Sequence, residues 1–245
     1  MKLKFIGSSD SAGIPVTNCS CAICSEYRKE NRKNLSTCAY LELDNSYILF
    51  DAGDDSISSF FDLKELKALF LTHFHADHCM GLLRLRYSKT PIVCYHPSDK
   101  EGFSDLFKHK HSIEYKELKA FEEKILGNLT ITSLPLKHSK NCFGYLIESS
   151  NKTVAYLTDC AALPSSTLEF LKTKEIDYAF IDACYDETKS SGNHLNYLQA
   201  SAILEQLEVK NGFLIHGGHE TLEYIKNSGV KLKYRYVVDN EEFNL

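Results

Sequence analysis

Short apolar runs, some alternating with polar residues and some unbroken, recur along most of the chain and are separated by polar turns. Runs of this length read as strands, half-buried where they alternate and buried on both faces where they are continuous. KLKFIG, AYLELD, SYILFD, KALFLT and PIVCY supply the strands of a first half, the fourth expected to end at Leu71. KILGNLTITSLPL, FGYLIES, TVAYLT, DYAFID and GFLIH supply those of a second half, and YRYVV follows them. Helical periodicity is rarer. NYLQASAILEQLE puts Leu198, Ala200, Ile203, Leu204 and Leu207 on one stripe, and SSTLEFL spaces Ser166 and Glu169 as a capping box ahead of DYAFID. Two similar halves, each giving one sheet and outer helices, with no Pro-rich linker or short repeat, predict a single α/β domain over residues 1–245. At 245 residues, 43% of them hydrophobic, the chain is long enough to bury a large core.

The polar interruptions carry the chemistry. After LKALFL the chain reads THFHADHC, placing His73, His75, Asp77 and His78 within six positions. A strand followed by His-x-His-x-Asp-His sets nitrogen and oxygen donors around a tight turn, from which they can converge on one or two divalent metals. Donors from one loop cannot fill two coordination shells and leave a position open for water. Three later segments repeat the order strand, donor, loop: SLPLKHSK with His138, TVAYLTDC with Asp159 and NGFLIHGGH with His216. Strand ends gather donors into one cluster when the strands lie side by side, whereas a lone histidine such as His138 reads as a structural or exposed residue.

HxHxDH followed by distant His, Asp and His resembles the metallo-β-lactamase superfamily, and the resemblance covers nearly the whole chain. It implies a four-layer αββα sandwich. It also implies that His73, His75 and His138 hold one metal, that Asp77, His78 and His216 hold a second, and that Asp159 bridges the two. Asp51, in YILFDAG, would support the metal loop without binding metal. Mn, Zn and Fe all suit such ligands. TNCSCAIC adds Cys19, Cys21 and Cys24, whose spacing suits thiolates on one tetrahedral structural zinc, and His219, three residues beyond His216, is the candidate fourth ligand. Buried thiols or an incidental disulfide are the alternative for this triplet. Cys38, Cys79, Cys94, Cys142, Cys160 and Cys184 read mostly as small buried apolar residues. CxCxxC, HxHxDH and HxxH together resemble the phosphodiesterase family of the bacterial carbon–phosphorus lyase pathway, as do GIPVTNCSCAIC, LPLKHSKNCFGYLIE, AYLTDCAALP and the GNHLN segment.

That branch implies a structural zinc beside a dinuclear site, and a small phosphodiester substrate. By the resemblance this is a cyclic one, such as a ribose 1,2-cyclic phosphate or a 2′,3′-cyclic nucleotide, opened to a phosphomonoester. Two cations about 3.5–4 Å apart can share a water and lower its pKa from about 15.7 toward about 7, giving a bridging hydroxide that attacks phosphorus at neutral pH. His194 is implied as the proton donor to the leaving group, with Asp77 beside it in the catalytic set. Without the resemblance His194 reads as an exposed loop histidine. Ser139 and Lys140, next to His138, are candidates for contacting phosphate, and Lys108, His109 and His111 read as a solvated charged loop.

A tRNA 3′-processing endonuclease would share HxHxDH, but 28 Lys+Arg against 33 Asp+Glu, net charge −5, argue against an extended nucleic-acid surface. A thioester or lactone hydrolase would use the same metals on a carbonyl and have no use for the cysteine set. No apolar run reaches the roughly 18 residues of a membrane span, and MKLKFIGSSD reads as strand and turn and not as a signal peptide. A soluble, cytoplasmic protein is expected, and a homodimer is an assembly open to it.

Overall fold

Residues 2–44, 46–60, 65–238 and 240–245 are described by the structure, a computed structural model. Among them β1 (Lys2–Gly7), β2 (Cys38–Leu43), β3 (Ser46–Phe50), β4 (Glu65–Phe70), β5 (Ile92–Pro97) and β6 (Ile113–Leu118) lie side by side in chain order. A second sheet carries β7 (Glu123–Leu126), β8 (Leu129–Leu136), β9 (Cys142–Glu148), β10 (Thr153–Leu157), β11 (Tyr178–Asp182) and β12 (Asn211–Ile215), again in chain order. β13 (Glu242–Asn244) returns to the free edge of β1. The helices are α1 (Ala22–Lys29), α2 (Ala76–Cys79), α3 (Leu82–Leu85), α4 (Ser165–Lys172), α5 (Tyr197–Gln206) and α6 (His219–Ser228).

The two-residue period of the strands separates the layers. Phe5, Leu41, Ile48, Phe50 and Phe70 of the first sheet meet Ile131, Tyr145, Ile147, Tyr156 and Phe180 of the second in one buried cluster. The intervening residues face outward: Tyr40, Leu49 and Leu69 pack with Ile57, Leu82 and Leu85, while Leu146, Ala155 and Ile181 pack with Leu171, Ala200 and Leu204. The result is the αββα sandwich. Ring pairs lock the sheets together, among them Phe5 with Phe180 at 4.8 Å and Phe70 edge-on to Tyr145 at 5.3 Å. Each such pair contributes about 0.5–1.5 kcal/mol beyond its buried area.

Strand direction then collects the strand ends. β3 to β6 run parallel, as do β10 to β12, and β8 and β10 are both antiparallel to β9 and so point the same way. The two sheets are joined at this end, where the Tyr145 hydroxyl donates to the Leu71 carbonyl at 2.6 Å and the Phe143 amide to Thr72 at 3.0 Å. Everything that follows β3, β4, β8, β10, β11 or β12 therefore emerges on one rim of the sandwich.

Several local expectations are corrected. KILGNLTITSLPL is two strands, β7 and β8, reversed at Gly127, whose φ of +65° suits a residue without Cβ. β4 stops at Phe70, and YRYVV makes only an isolated bridge, Tyr236 to Leu214. α4 begins after Pro164 with no side-chain cap, so Ser166 and Glu169 form no box; the capping box belongs to Asn196 and Gln199 of α5. The α5 stripe is rotated as well: Tyr197 is buried, whereas Leu198 is 54% exposed. β6 and β13 have no counterpart in the sequence reading. Among the described residues no helix is long and apolar enough to cross a membrane.

Asp177 ties β11 to its neighbours by accepting from the Thr153 amide at 3.0 Å and from Lys210 and Lys152 at 3.2 and 3.3 Å. Burial opposes its charge, but the amide and the two ammonium groups outweigh burial and hold the carboxyl below its ordinary value. Its contribution to stability is complete above the unfolded carboxyl pKa of about 3.9 and fades as pH falls through the lower folded value. Asp177→Asn is expected to melt roughly 2–4 °C lower at pH 7. In melting scans across pH this gap should close in strong acid; a gap that persists there would rule the carboxylate out as its source.

Candidate metal centre

Asp51 follows β3 in the left-handed region at φ 61°, which turns its fully buried carboxylate under the loop after β4. One oxygen accepts from the Thr72 amide at 2.7 Å, and the other faces His78 Nδ1 at 2.9 Å. The backbone supports the same contact, with the Ala52 amide donating to His78 O at 2.7 Å. Gly53 permits this approach, because a Cβ there would stand 1.9 Å from the Asp77 carbonyl oxygen. Asp51 thus holds His78 from behind, and the imidazole presents Nε2 to the rim.

On the rim the donors form adjoining groups. His73, His75 and His138 offer ring nitrogens within 4.8 Å of one another, and so do Asp77, His78, Asp159 and His216 with their nitrogens and oxygens. In the first group His73 Nε2 lies 2.8 Å from His75 Nδ1, which lies 3.2 Å from His138 Nε2. Nitrogens on one tetrahedral metal are about 3.3 Å apart when each bond is about 2.0–2.1 Å, so these spacings fit a shared cation. In the second group Asp159 Oδ2 lies 3.1 Å from His78 Nε2 and 3.9 Å from His73 Nε2, while its Oδ1 lies 3.4 Å from His216 Nδ1. Asp159 therefore touches both groups. Burial holds His73 well below its ordinary pKa, with the charge of His78 adding to the effect, so His73 is a neutral donor. Burial also resists charge on His78, but the carboxylates of Asp159, Asp51 and Asp77 outweigh it and raise His78 well above the ordinary value. A cation binding there would displace that proton.

His194 lies between these groups and solvent. Its ring stacks on His216 at 4.9 Å, and one of its ring nitrogens lies within 4.8 Å of a His138 ring nitrogen and an Asp159 carboxylate oxygen. Nδ1 donates to Asp182 Oδ2 at 2.8 Å, leaving Nε2 free of that bond. Burial lowers its pKa, yet the Asp182 carboxylate more than offsets this and the imidazole is pushed up to about 9. Asp182 is fully buried and anchored by the Cys160 amide at 2.8 Å and the Cys184 amide at 3.0 Å. Asp182 is a site residue beyond those expected, although it too is an acid at the end of an apolar strand, DYAFID.

The other expected residues lie further out. Lys140 directs its ammonium to Asp99 at 3.0 Å, so its charge is already compensated, and Ser139 is exposed. Lys108, His109 and His111 are exposed between β5 and β6, with His111 against the Tyr87 ring. Of the remaining cysteines Cys38, Cys79, Cys94, Cys142 and Cys160 are buried, while Cys184 is half-buried and its thiol is raised by burial and by Asp182.

Cys19, Cys21, Cys24 and His219 form a separate group within 4.8 Å. His219 Nδ1 stands 3.4 Å from Cys19 Sγ and 3.5 Å from Cys21 Sγ, against about 3.5 Å for a sulfur and a nitrogen on one tetrahedral zinc. Four convergent donors with three sulfurs fit zinc, and they connect the loop before α1 and the first turn of α1 to the first residue of α6. Cys21→Ser is expected to lose one equivalent of zinc and melt about 5–10 °C lower while the hydrolytic activity of the folded fraction persists. Unchanged zinc content and melting would exclude a structural role for this group.

A family pattern described as a beta-lactamase superfamily domain matches residues 46–217. The probable metallo-hydrolase YhfI of Bacillus subtilis is 26% identical over 203 residues, 76% of this chain and 82% of YhfI. Ribonuclease BN of Cronobacter sakazakii is 26% identical over 195 residues, 71% of this chain; the chain spans only 60% of that protein. Among solved structures, a diphosphatase from the PhnP family shares the fold with a TM-score of 0.82 and 24% identity, covering 99% of this chain and 96% of the other. The pattern match takes in Asp51 and the rim donors from His73 to His216, and with the αββα layers it establishes that the chain belongs to the metallo-β-lactamase superfamily.

Proposed function

We propose that the protein is a dinuclear-metal phosphodiesterase that hydrolyses small, cyclic phosphodiesters to phosphomonoesters. The observation that carries the reading is His194, held by Asp182 at 2.8 Å and stacked on His216 at the mouth of both donor groups. When bound, two cations would activate water at neutral pH and offset negative charge developing on phosphorus. His73, His75 and His138 would hold one, Asp77, His78 and His216 the other, with Asp159 between them; Mn, Zn and Fe all suit this set. His194 performs the step that metals do not: its Nε2–H is aimed away from Asp182 and gives the leaving oxygen its proton. Asp182 is a positioning residue that fixes the tautomer and favours the charged acid. The fold likeness to the PhnP-family diphosphatase and the zinc-suited cysteine group support phosphorus chemistry.

The similarity to ribonuclease BN favours a second reading, hydrolysis of RNA. Protein reconstituted with Mn²⁺ or Zn²⁺ separates the two when given 2′,3′-cyclic AMP, ribose 1,2-cyclic phosphate, a thioester and pre-tRNA side by side. Metal-dependent opening of a cyclic phosphate is the expected result. Turnover confined to pre-tRNA or to the thioester would overturn the proposal.

A further inference from the structure

One titratable group on the rim has no part in this chemistry. Cys184 lies on the loop after β11, and its Sγ comes within 4.8 Å of ring nitrogens of both His194 and His216. Its backbone is fixed on both sides, the amide donating to Asp182 Oδ1 at 3.0 Å and the carbonyl accepting from the Thr221 hydroxyl at 2.7 Å. Cys184 is half-buried and borders a cavity of about 260 Å³ between the loop after β1 and the start of α6. Asp10, Asp186 and Glu220 line this cavity, opposed by Lys189, whose ammonium rests 3.5 Å from the centre of the Tyr185 ring. Three carboxylates around the opening favour entry of a cation.

We propose that Cys184, His194 and His216 form a further cation site, selective for thiophilic metals such as Zn²⁺ or Cd²⁺, whose occupation inhibits the enzyme. One sulfur and two imidazole nitrogens are a softer donor set than the carboxylate-rich groups beside it. As the Sγ–metal bond forms, the thiol proton passes to water; a hard cation such as Mn²⁺ gains too little from sulfur to drive that exchange. Occupation ties up the imidazole of His194 and competes for His216. Excess zinc would thus shut off a site that smaller amounts support. The inhibition rests on the role proposed for His194, whereas the binding does not.

The test is a Cd²⁺ titration of protein already loaded with Mn²⁺ and with zinc at the Cys19, Cys21, Cys24 and His219 group. Two signals are followed: thiolate-to-cadmium charge-transfer absorbance, and hydrolysis of bis-p-nitrophenyl phosphate and 2′,3′-cyclic AMP. Wild type is expected to show a thiolate band and to lose turnover of the cyclic nucleotide. Cys184→Ser should lack that band, keep its uninhibited rate and need about tenfold or more Cd²⁺ for half-inhibition. Equal bands in the two proteins, or none in wild type, would overturn the site. A band that depends on Cys184 in a protein hydrolysing no phosphodiester would keep the site and discard the functional reading.

Discussion

Asp159→Ala is expected to abolish stoichiometric binding of the metal pair and to lower phosphodiester hydrolysis by about 10³-fold or more. The carboxylate is 1% exposed, and its two oxygens reach His78, His73 and His216. No other acid on the rim touches members of both donor groups among the described residues. Burial resists its charge, but His216 and His78 outweigh burial and hold it well below the ordinary carboxyl value, so it is anionic over the working range. Removing it leaves the imidazoles of the two donor groups facing one another with Asp77 as the remaining carboxylate within those groups. Metal content by mass spectrometry, read beside the melting temperature, separates a lost site from a lost fold. Two equivalents of metal retained in a folded Asp159→Ala protein would refute the bridging assignment.

His194→Ala should behave differently. Both metals are expected to stay bound, while turnover of cyclic and alkyl phosphodiesters falls by about 10²–10⁴-fold. A nitrophenolate needs no proton to depart, so bis-p-nitrophenyl phosphate should lose much less. This dependence on the leaving group is what a merely structural histidine would not produce. The acid form is present below its pKa and is lost as pH rises through it, so the rate on cyclic substrates has an alkaline limb. Asp182→Asn removes the charge that favours the acid, and the limb should move to lower pH. Equal losses on the two substrate types, or a limb that stays in place, would exclude His194 as the proton donor.

Much of the site was legible because its donors stand in one local motif and at the ends of apolar strands. HxHxDH announces itself within six residues, and His138, Asp159 and His216 each close a run that could only be a strand. Asp182 obeys the same rule but looked like the last residue of an ordinary strand. Its importance comes from His194, twelve residues on, and from two backbone amides whose placement depends on tertiary structure. Two halves, each with one sheet and outer helices, were legible from the apolar runs, while the αββα layering came through the resemblance; alternation then puts Phe5 in the core between the sheets and Ile6 under the outer layer. Boundaries were less so. KILGNLTITSLPL hides a hairpin because apolar residues continue on both sides of Gly127 and Asn128, although Gly-Asn is itself a turn signal. β6 (IEYKEL) and β13 (EFN) are strands because a neighbour's edge awaits them, and no local pattern records that.

The placement of β1 has a consequence for the order in which the molecule assembles. This strand lies between β2 and β13, so one of its partners is at hand within forty or so residues and the other only beyond residue 240. The Ser8 hydroxyl reaches the Val237 carbonyl across a separation of 229 positions, and the cysteine group waits for His219, 200 positions after Cys19. Contacts so distant along the chain make for slow folding. During synthesis Leu3 and Phe5 would remain without their cover from Phe243 until β13 had emerged, after every other strand of both sheets. β13 thus closes a sheet that β1 opened, and a growing chain would depend on shelter for β1 until that closure.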